Sequence, residues 1–430
     1  MKTTMMYLPH DSKKNLTVDL LENACYHPSP ETVLKNKERL VIKGVIKHTV
    51  GQDTIISKNL NANETVVGVF DGHGALGHYH SFIASSLLTK LVVKCIPLLK
   101  LHLQTNNEGA INELLTYCYN FTQKQLYNGN FHYIDKESGT TASLALVLLV
   151  NVNGKKSRRL ISTNAGDSPI LWKDDSTYTE CSLEHNCDNK LAVEAYLKRL
   201  AVRKETIKKQ INEGNITPNE RSTLNLEYFN CEPKPVYYFR KDNPVAVWMK
   251  SLGYNNPLTL YNYHNNKPEL NKTDYEIISE YYPHGYQSIR TPETYVREDG
   301  RTVAVSGKEH DNWGSSLMGG TQTLNGLGDI QNFPHVSPDP FVSIHDINNK
   351  GSLFVASDGF TDLFHLDRLM DFIHQHHNNE HLTETMLDYL FDTALTYKSH
   401  YPFKQDPESG VKYPKWDDVS GIIVSLPECV

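Results

Sequence analysis

The stretch Thr65-Val-Val-Gly-Val-Phe-Asp71-Gly72-His73-Gly74 constrains this chain more than any other. Val66, Val67, Val69 and Phe70 form a short run that is apolar on both faces, the pattern of a strand covered on either side. The run stops at an acid and two glycines that flank a histidine. There the backbone is free to turn sharply and to approach a ligand closely. The same grammar recurs. Ser352-Leu-Phe-Val-Ala-Ser-Asp358-Gly359 is a second apolar run closing on Asp-Gly, and Arg159-Leu-Ile-Ser-Thr-Asn-Ala-Gly166-Asp167-Ser168 is a third closing on an acid. Asp417-Asp418-Val-Ser-Gly-Ile-Ile-Val-Ser-Leu reverses the order, acids first and strand after. In an antiparallel sheet the start of one strand lies beside the ends of its neighbours, so the four acidic termini are expected at one edge. Clustered carboxylates repel one another and call for cations. All-oxygen donors without paired histidines or cysteines favour Mg2+ or Mn2+ over Zn2+.

The length allows one large domain or two smaller ones, and 39% hydrophobic residues suffice for a sizeable core. A formal net charge of -7 with no long basic run argues against nucleic acid, whose backbone demands basic patches. Seven cysteines occur without a CxxC pair, which reads as reduced thiols in an intracellular protein, cytoplasmic or nuclear. Cys181 and Cys187 with His185 between them fit no zinc spacing. The first ten residues lack an apolar signal region. The longest apolar runs, such as Ala142 to Val150, are too short to cross a bilayer, so no transmembrane segment is expected.

Residues 1–40 are polar and read as an N-terminal extension, with a short helix over Val18–Cys25. Strand-like structure begins at Val41-Ile-Lys-Gly-Val-Ile-Lys. Apolar residues recur at helical spacing over Tyr79–Leu103, where Pro97 should kink or end the helix, and again over Asn112–Tyr127. Ser138–Val152 and Arg158–Trp172 read as a pair of strands around the Asn153-Gly154 turn. Leu191–Ile211 is amphipathic and basic, a solvated surface helix. Phe341–Ile344 and Leu353–Ser357 read as strands, Asp362–His376 and Thr383–Tyr397 as helices, and Gly421–Leu426 as the last strand. Periodicity alone supports a mixed α/β or α+β domain.

Taken together the motifs resemble the metal-dependent protein serine/threonine phosphatases of the PP2C (PPM) family. Phe70-Asp71-Gly72-His73-Gly74 matches that family's central metal motif, and Ser138-Gly139-Thr140-Thr141-Ala142 its next block. Asn164-Ala165-Gly166-Asp167-Ser168 resembles the Val-Gly-Asp-Ser block, and Gly319-Gly320 with Leu324-Asn325-Gly326-Leu327-Gly328-Asp329 the block ending in Leu-Gly-Asp. Ala356-Ser357-Asp358-Gly359-Phe360-Thr361-Asp362 matches the Ala-Ser-Asp-Gly block, and Asp417-Asp418-Val419-Ser420 stands where the family has Asp-Asn. The six blocks occur in the family's order from about Lys43 to Leu426.

The resemblance implies an α+β fold, a four-layer α-β-β-α sandwich of two antiparallel sheets flanked by helices. It implies one phosphatase domain over residues 41–430, interrupted by a long insertion at about 214–318. It implies a phosphorylated protein as substrate and two Mg2+ or Mn2+ ions per site, whose activated water attacks the phosphoryl group. By the same carry-over Asp71 bridges both ions. Asp53, the Gly72 carbonyl, Asp358 and Asp417 complete the shells, Asp167 offers a third, weaker position, and His73 is the general acid for the leaving oxygen. A histidine with a near-neutral pKa suits that task. The chain departs from the pattern in three places. Gln52 replaces a glutamate before Asp53, and Asp418 replaces an asparagine. The phosphate-gripping arginine five residues before Asp53 is His48, with Lys47 beside it, and neither side chain offers arginine's bidentate fork. Two alternatives stay open: an inactive family member serving as a binding module, and a hydrolase of small phosphoesters. The absence of a P-loop counts against nucleotide binding of that type, and the absence of a Cys-x5-Arg motif counts against a covalent phosphoenzyme. The insertion, rich in Asn, Tyr, Pro and His, either selects substrates or a protein partner, or packs as a decorated loop.

Overall fold

The structure is a computed structural model that describes residues 52–74, 76–128, 137–152, 154–213, 216–231, 323–361, 366–376 and 420–429; outside these ranges only short strands and the helix Pro244–Ser251 are described. In chain order the elements used below are β1 (Lys2–Tyr7), β2 (Thr54–Asn61), β3 (Glu64–Phe70), β4 (Gly72–His73), α1 (Gly77–Gln104), α2 (Glu108–Asn128), β5 (Gly139–Thr140), β6 (Ala142–Val152), β7 (Lys155–Ala165), β8 (Ile170–Asp174), β9 (Tyr178–Glu180), α3 (Lys190–Glu213), α4 (Pro218–Asn230), β10 (Leu327–Gly328), β11 (Phe341–Asp346), β12 (Gly351–Ala356), α5 (Leu366–His376) and β13 (Ser420–Leu426).

Two five-stranded antiparallel sheets dominate, with strand orders β11-β7-β6-β3-β2 and β1-β13-β12-β8-β9. The period-2 alternation of side chains divides each central strand between two cores. On β3, Val67 and Val69 join Ala145 and Val147 of β6 and Leu353, Val355, Ile422 and Val424 of the second sheet in a core between the sheets. Val66 and Phe70 point the other way. They join Leu144, Leu146 and Leu148 and the buried face of α1 and α2, including Leu88, Val92, Leu99 and Leu115. On the far side of the second sheet, α5 packs over β8 and β12 and buries Leu369, Met370 and Ile373. The layers are therefore helices, sheet, sheet, helix, and the α+β sandwich expected from the motifs is the one observed. Because strands with both faces covered must be apolar throughout, β3 and β12 are buried along their whole lengths.

Several local expectations need revision. The N-terminal segment set aside as an extension supplies β1, which pairs with β13 as the edge of the second sheet. Ala24–Pro28 is a strand paired with Gly44–Val50, so Cys25 is not helical; Val18–Glu22 lie outside the described residues. The first helix runs through Pro97 without ending; a prolyl residue removes one backbone donor, and the burial of Ile96 and Leu99 against the sheet outweighs it. That helix is also long and apolar enough to cross a membrane, which a search by uninterrupted runs overlooks; its face from Ala84 to Leu103 is buried in the core. Arg158–Trp172 is two strands, broken at Gly166. The helix expected from Asp362 is described from Leu366, after a four-residue turn at Asp358–Thr361. The helix expected over Thr383–Tyr397 lies outside the described residues.

Candidate active site

The hairpin β2–β3 sets the first two acids. Thr54 pairs with Phe70 in register, so one step further Asp53 stands opposite Asp71, both just beyond the paired strands. Asp53 is buried, 1% exposed, and Asp71 is half-buried. The Gly72 N–H donates to the Gln52 carbonyl at 3.1 Å, and Ser81 at the start of α1 donates to the same carbonyl at 2.6 Å. The Gln52 amide donates to the Gly74 carbonyl at 2.5 Å, a bond that a glutamate carboxylate could not make. On the other flank, Asp71 exchanges two hydrogen bonds with Thr141: its N–H donates to Thr141 Oγ1 (3.0 Å) and its carbonyl accepts from the Thr141 N–H (2.8 Å).

Thr141 leads to the third acid, since its hydroxyl lies 2.7 Å from Ser168 Oγ and Ser143 donates to the Ser168 carbonyl. Gly166 adopts φ +118°, which a side chain would resist. This turn carries the chain from β7 in one sheet to β8 in the other and holds Asp167 between them. His185, 4% exposed, braces the turn: its backbone N–H and its Nδ1 both reach the Gly166 carbonyl, each at 3.0 Å. Burial, with a smaller contribution from the Arg199 charge, holds His185 neutral, its pKa lowered to about 4 against the Gly166 hydrogen bond. The fourth acid, Asp358, follows β12 directly. The Ser357 N–H donates to the Ser420 carbonyl, and the Ser420 N–H to Ser357 Oγ, both at 2.9 Å. Asp358 is thereby fixed beside the start of β13.

Asp53, Asp71, Asp167 and Asp358 thus occupy strand termini at the same edge of two facing sheets. Asp417, with Asp418 and Asp362, lies outside the described residues. The side chains of Lys47 and His48 are likewise not described, although both positions fall on the strand Gly44–Val50. Among the described residues, no three His, Cys, Asp or Glu side chains form a group close enough to hold a metal ion. The donors at the edge are nevertheless of the type that a hard divalent ion takes, carboxylate and carbonyl oxygen. Cys181 lies in the core between the sheets and Cys187 in a separate cluster with Ala192, Tyr196 and Leu200, so they share no zinc site.

His73 sits on β4, with its side chain about one-third exposed. Its Nε2 is 2.8 Å from Asp329 Oδ2. Burial works against the imidazolium, but the Asp329 carboxylate and, more weakly, Asp167 outweigh it and raise the His73 pKa. Asp329 has no role among the site residues that the resemblance implies; its one signal in the sequence is its place after Leu-Gly in a matched block.

A match to the protein phosphatase 2C family covers residues 326–401, from the Asp329 loop through Asp358 and beyond. That stretch holds part of the Leu-Gly-Asp block and the whole Ala-Ser-Asp-Gly block, so over this part of the chain the match supports the resemblance drawn from the motifs. No curated protein sequence matches the chain. Among solved structures, the serine-threonine phosphatase 2C from Toxoplasma gondii overlaps at TM-score 0.48 and 10% identity, over 99% of each chain. A C. elegans sex-determining protein overlaps at TM-score 0.45 and 12% identity, over 89% of this chain but 62% of its own. The phosphatase Stp1 from Staphylococcus aureus gives 0.37 and 12%, over 87% and 89%. The fold rests on the sheet order and register given above, not on these distant overlaps.

Proposed function

We propose that this chain is a metal-dependent protein phosphatase that hydrolyses phosphoserine and phosphothreonine in proteins. The observation that supports it best is the position of Asp53, Asp71, Asp167 and Asp358 at strand ends along one edge of the sandwich, with His73 two residues after Asp71. Asp53, Asp71, Asp358 and the Gly72 carbonyl would hold two Mg2+ or Mn2+ ions, with Asp167 available to a third and Asp417 added by resemblance. When bound, such ions supply an activated water and neutralise charge on the phosphoryl group. The chain's own groups do the rest. Backbone bonds through Thr141 and Gln52 hold Asp71 and Gly72 in place. His73 delivers a proton to the leaving seryl or threonyl oxygen. Lys47 or His48 donates to the phosphate in place of the family's arginine. The insertion at 214–318 is assigned to substrate or partner selection.

His48 also supports a second reading, a weak or inactive family member that binds phosphoproteins without turning them over. One experiment separates the two: hydrolysis of a phosphothreonine peptide with Mn2+, with EDTA, and by Asp71→Asn. Turnover that requires Mn2+ and is lost in the variant is the expected result. Mn2+ binding by calorimetry without turnover of the peptide would overturn the enzymatic reading.

A further inference from the structure

We propose that Asp329 is a positioning residue for His73: it holds the imidazole by Nε2 across Gly139, leaving Nδ1 as the ring nitrogen that serves the leaving oxygen. The role in catalysis rests on the phosphatase reading; the pair itself rests on geometry alone. Three two-residue strands form a miniature sheet in the order β10-β5-β4. His73 pairs with Gly139, and Gly139 pairs with Gly328. His73 and Asp329 therefore flank the central strand from opposite sides, and the gap between them is closed only because residue 139 has no side chain. A Cβ at that position would collide with the Asp329 carboxylate and lie 2.8 Å from His73 Nε2.

Asp329 is held in this attitude from several directions. It adopts a left-handed conformation, φ +48° and ψ +37°, uncommon for a residue with a side chain although aspartate tolerates it better than most. The Gln123 amide on α2 clamps the preceding residue from both ends, donating to the Gly328 carbonyl and accepting from its N–H, each at 2.7 Å. The Asp329 N–H donates to the Ser138 carbonyl at 3.0 Å. The far side of the loop is gripped by Arg199 of α3, which donates to the Leu324 and His335 carbonyls at 3.0 Å. A loop pinned from α2, α3 and β5 to present one buried carboxylate, 2% exposed, to one histidine is built for orientation. In the reaction, Nδ1 hands its proton to the leaving oxygen as the P–O bond breaks and regains one from solvent; Nε2 keeps its own throughout.

The test uses the full chain and two substrates. A phosphothreonine peptide has a poor leaving group that needs a proton, whereas p-nitrophenyl phosphate releases an aryl oxide that does not. Asp329→Asn suits the left-handed backbone, and a thermal melt checks that it folds. The peptide rate is expected to fall about 100-fold, the scale of general acid catalysis, with the aryl ester spared, and Gly139→Ala should reproduce the pattern. Equal loss on both substrates, or no loss on either, overturns the proposal. Independently of turnover, nitrogen-15 spectra of labelled histidine at high pH, assigned with His73→Gln, should show His73 as the Nε2–H tautomer, and Asp329→Asn should lose that preference. If the wild type hydrolyses neither substrate, the phosphatase reading fails and the spectrum decides the pair. An Nδ1–H tautomer in the wild type refutes it.

Discussion

The neutral, buried His185 makes the stability of this protein depend on pH in a predictable window. Its imidazole braces the Gly166 turn that joins the two sheets, and burial lowers its pKa from 6.5 to about 4. Between those values the unfolded chain binds a proton that the folded chain refuses. Stability from this group is therefore fully present above pH 6.5 and is lost as the pH falls towards 4. At about 1.4 kcal/mol per pH unit, the whole window is worth about 3 kcal/mol, of which about 2 kcal/mol is gone by pH 5. Other groups titrate in the same range, so the measurement is a difference: urea midpoints of the wild type and His185→Gln, followed by tryptophan fluorescence at pH 8, 7, 6 and 5. The wild type should be the more stable at pH 8, by about 1 kcal/mol for one lost hydrogen bond. That advantage should shrink and then reverse by pH 5, since glutamine has no proton to gain. A wild-type advantage that stays constant from pH 8 to pH 5 would refute the claim that burial keeps this histidine neutral.

Two further outcomes follow from the same structure. Leu88→Ala, at a fully buried position where α1 meets the first sheet, should cost roughly 2–5 kcal/mol, read as a lower urea midpoint; a loss under about 1 kcal/mol would mean that this core collapses around the gap. His48→Arg should lower KM for a phosphothreonine peptide about tenfold, since a charge-assisted bond contributes roughly 1.5–3 kcal/mol. An unchanged KM would show that the phosphate is held from elsewhere.

The strands that lead to Asp71, Asp167 and Asp358 were legible in the sequence because each announces itself twice, by an apolar run and by the acid that follows it. Antiparallel pairing then forces ends and starts together, and the observed registers of Thr54 with Phe70 and of Ala356 with Gly421 do so. The break at Gly166 was legible only in part: Arg159–Ser168 closes on an acid, yet Ile170 to Trp172 resumes a strand-like pattern, and nothing in the pattern shows that the turn at Gly166, φ +118°, sends the chain into the other sheet. Asp329 was hidden for a deeper reason. Its partner is 256 residues away, and their contact depends on the missing side chain of a third residue, Gly139, on a strand between them. No periodicity records such an arrangement. The length of α1 beyond Pro97 belongs to the same kind: local propensity argues for a stop, and only burial against the sheet argues for continuation.

Whether this fold is kept for catalysis or only for docking can be asked of Asp53. It stands opposite Asp71 at the end of the hairpin, and like charges placed directly across a sheet are destabilising by roughly 0.2–1 kcal/mol. Its 1% exposure adds the cost of burying a charge. A divalent ion held between the two acids would offset that repulsion. Mn2+ should therefore raise the melting temperature of the wild type and leave that of Asp53→Asn unchanged, because an ion that binds only the folded wild type at 100 times its Kd adds about 2.7 kcal/mol. An equal Mn2+ shift in the two proteins, or none in either, would remove Asp53 from the metal-binding set. The argument from a reserved acidic edge would then lose its footing.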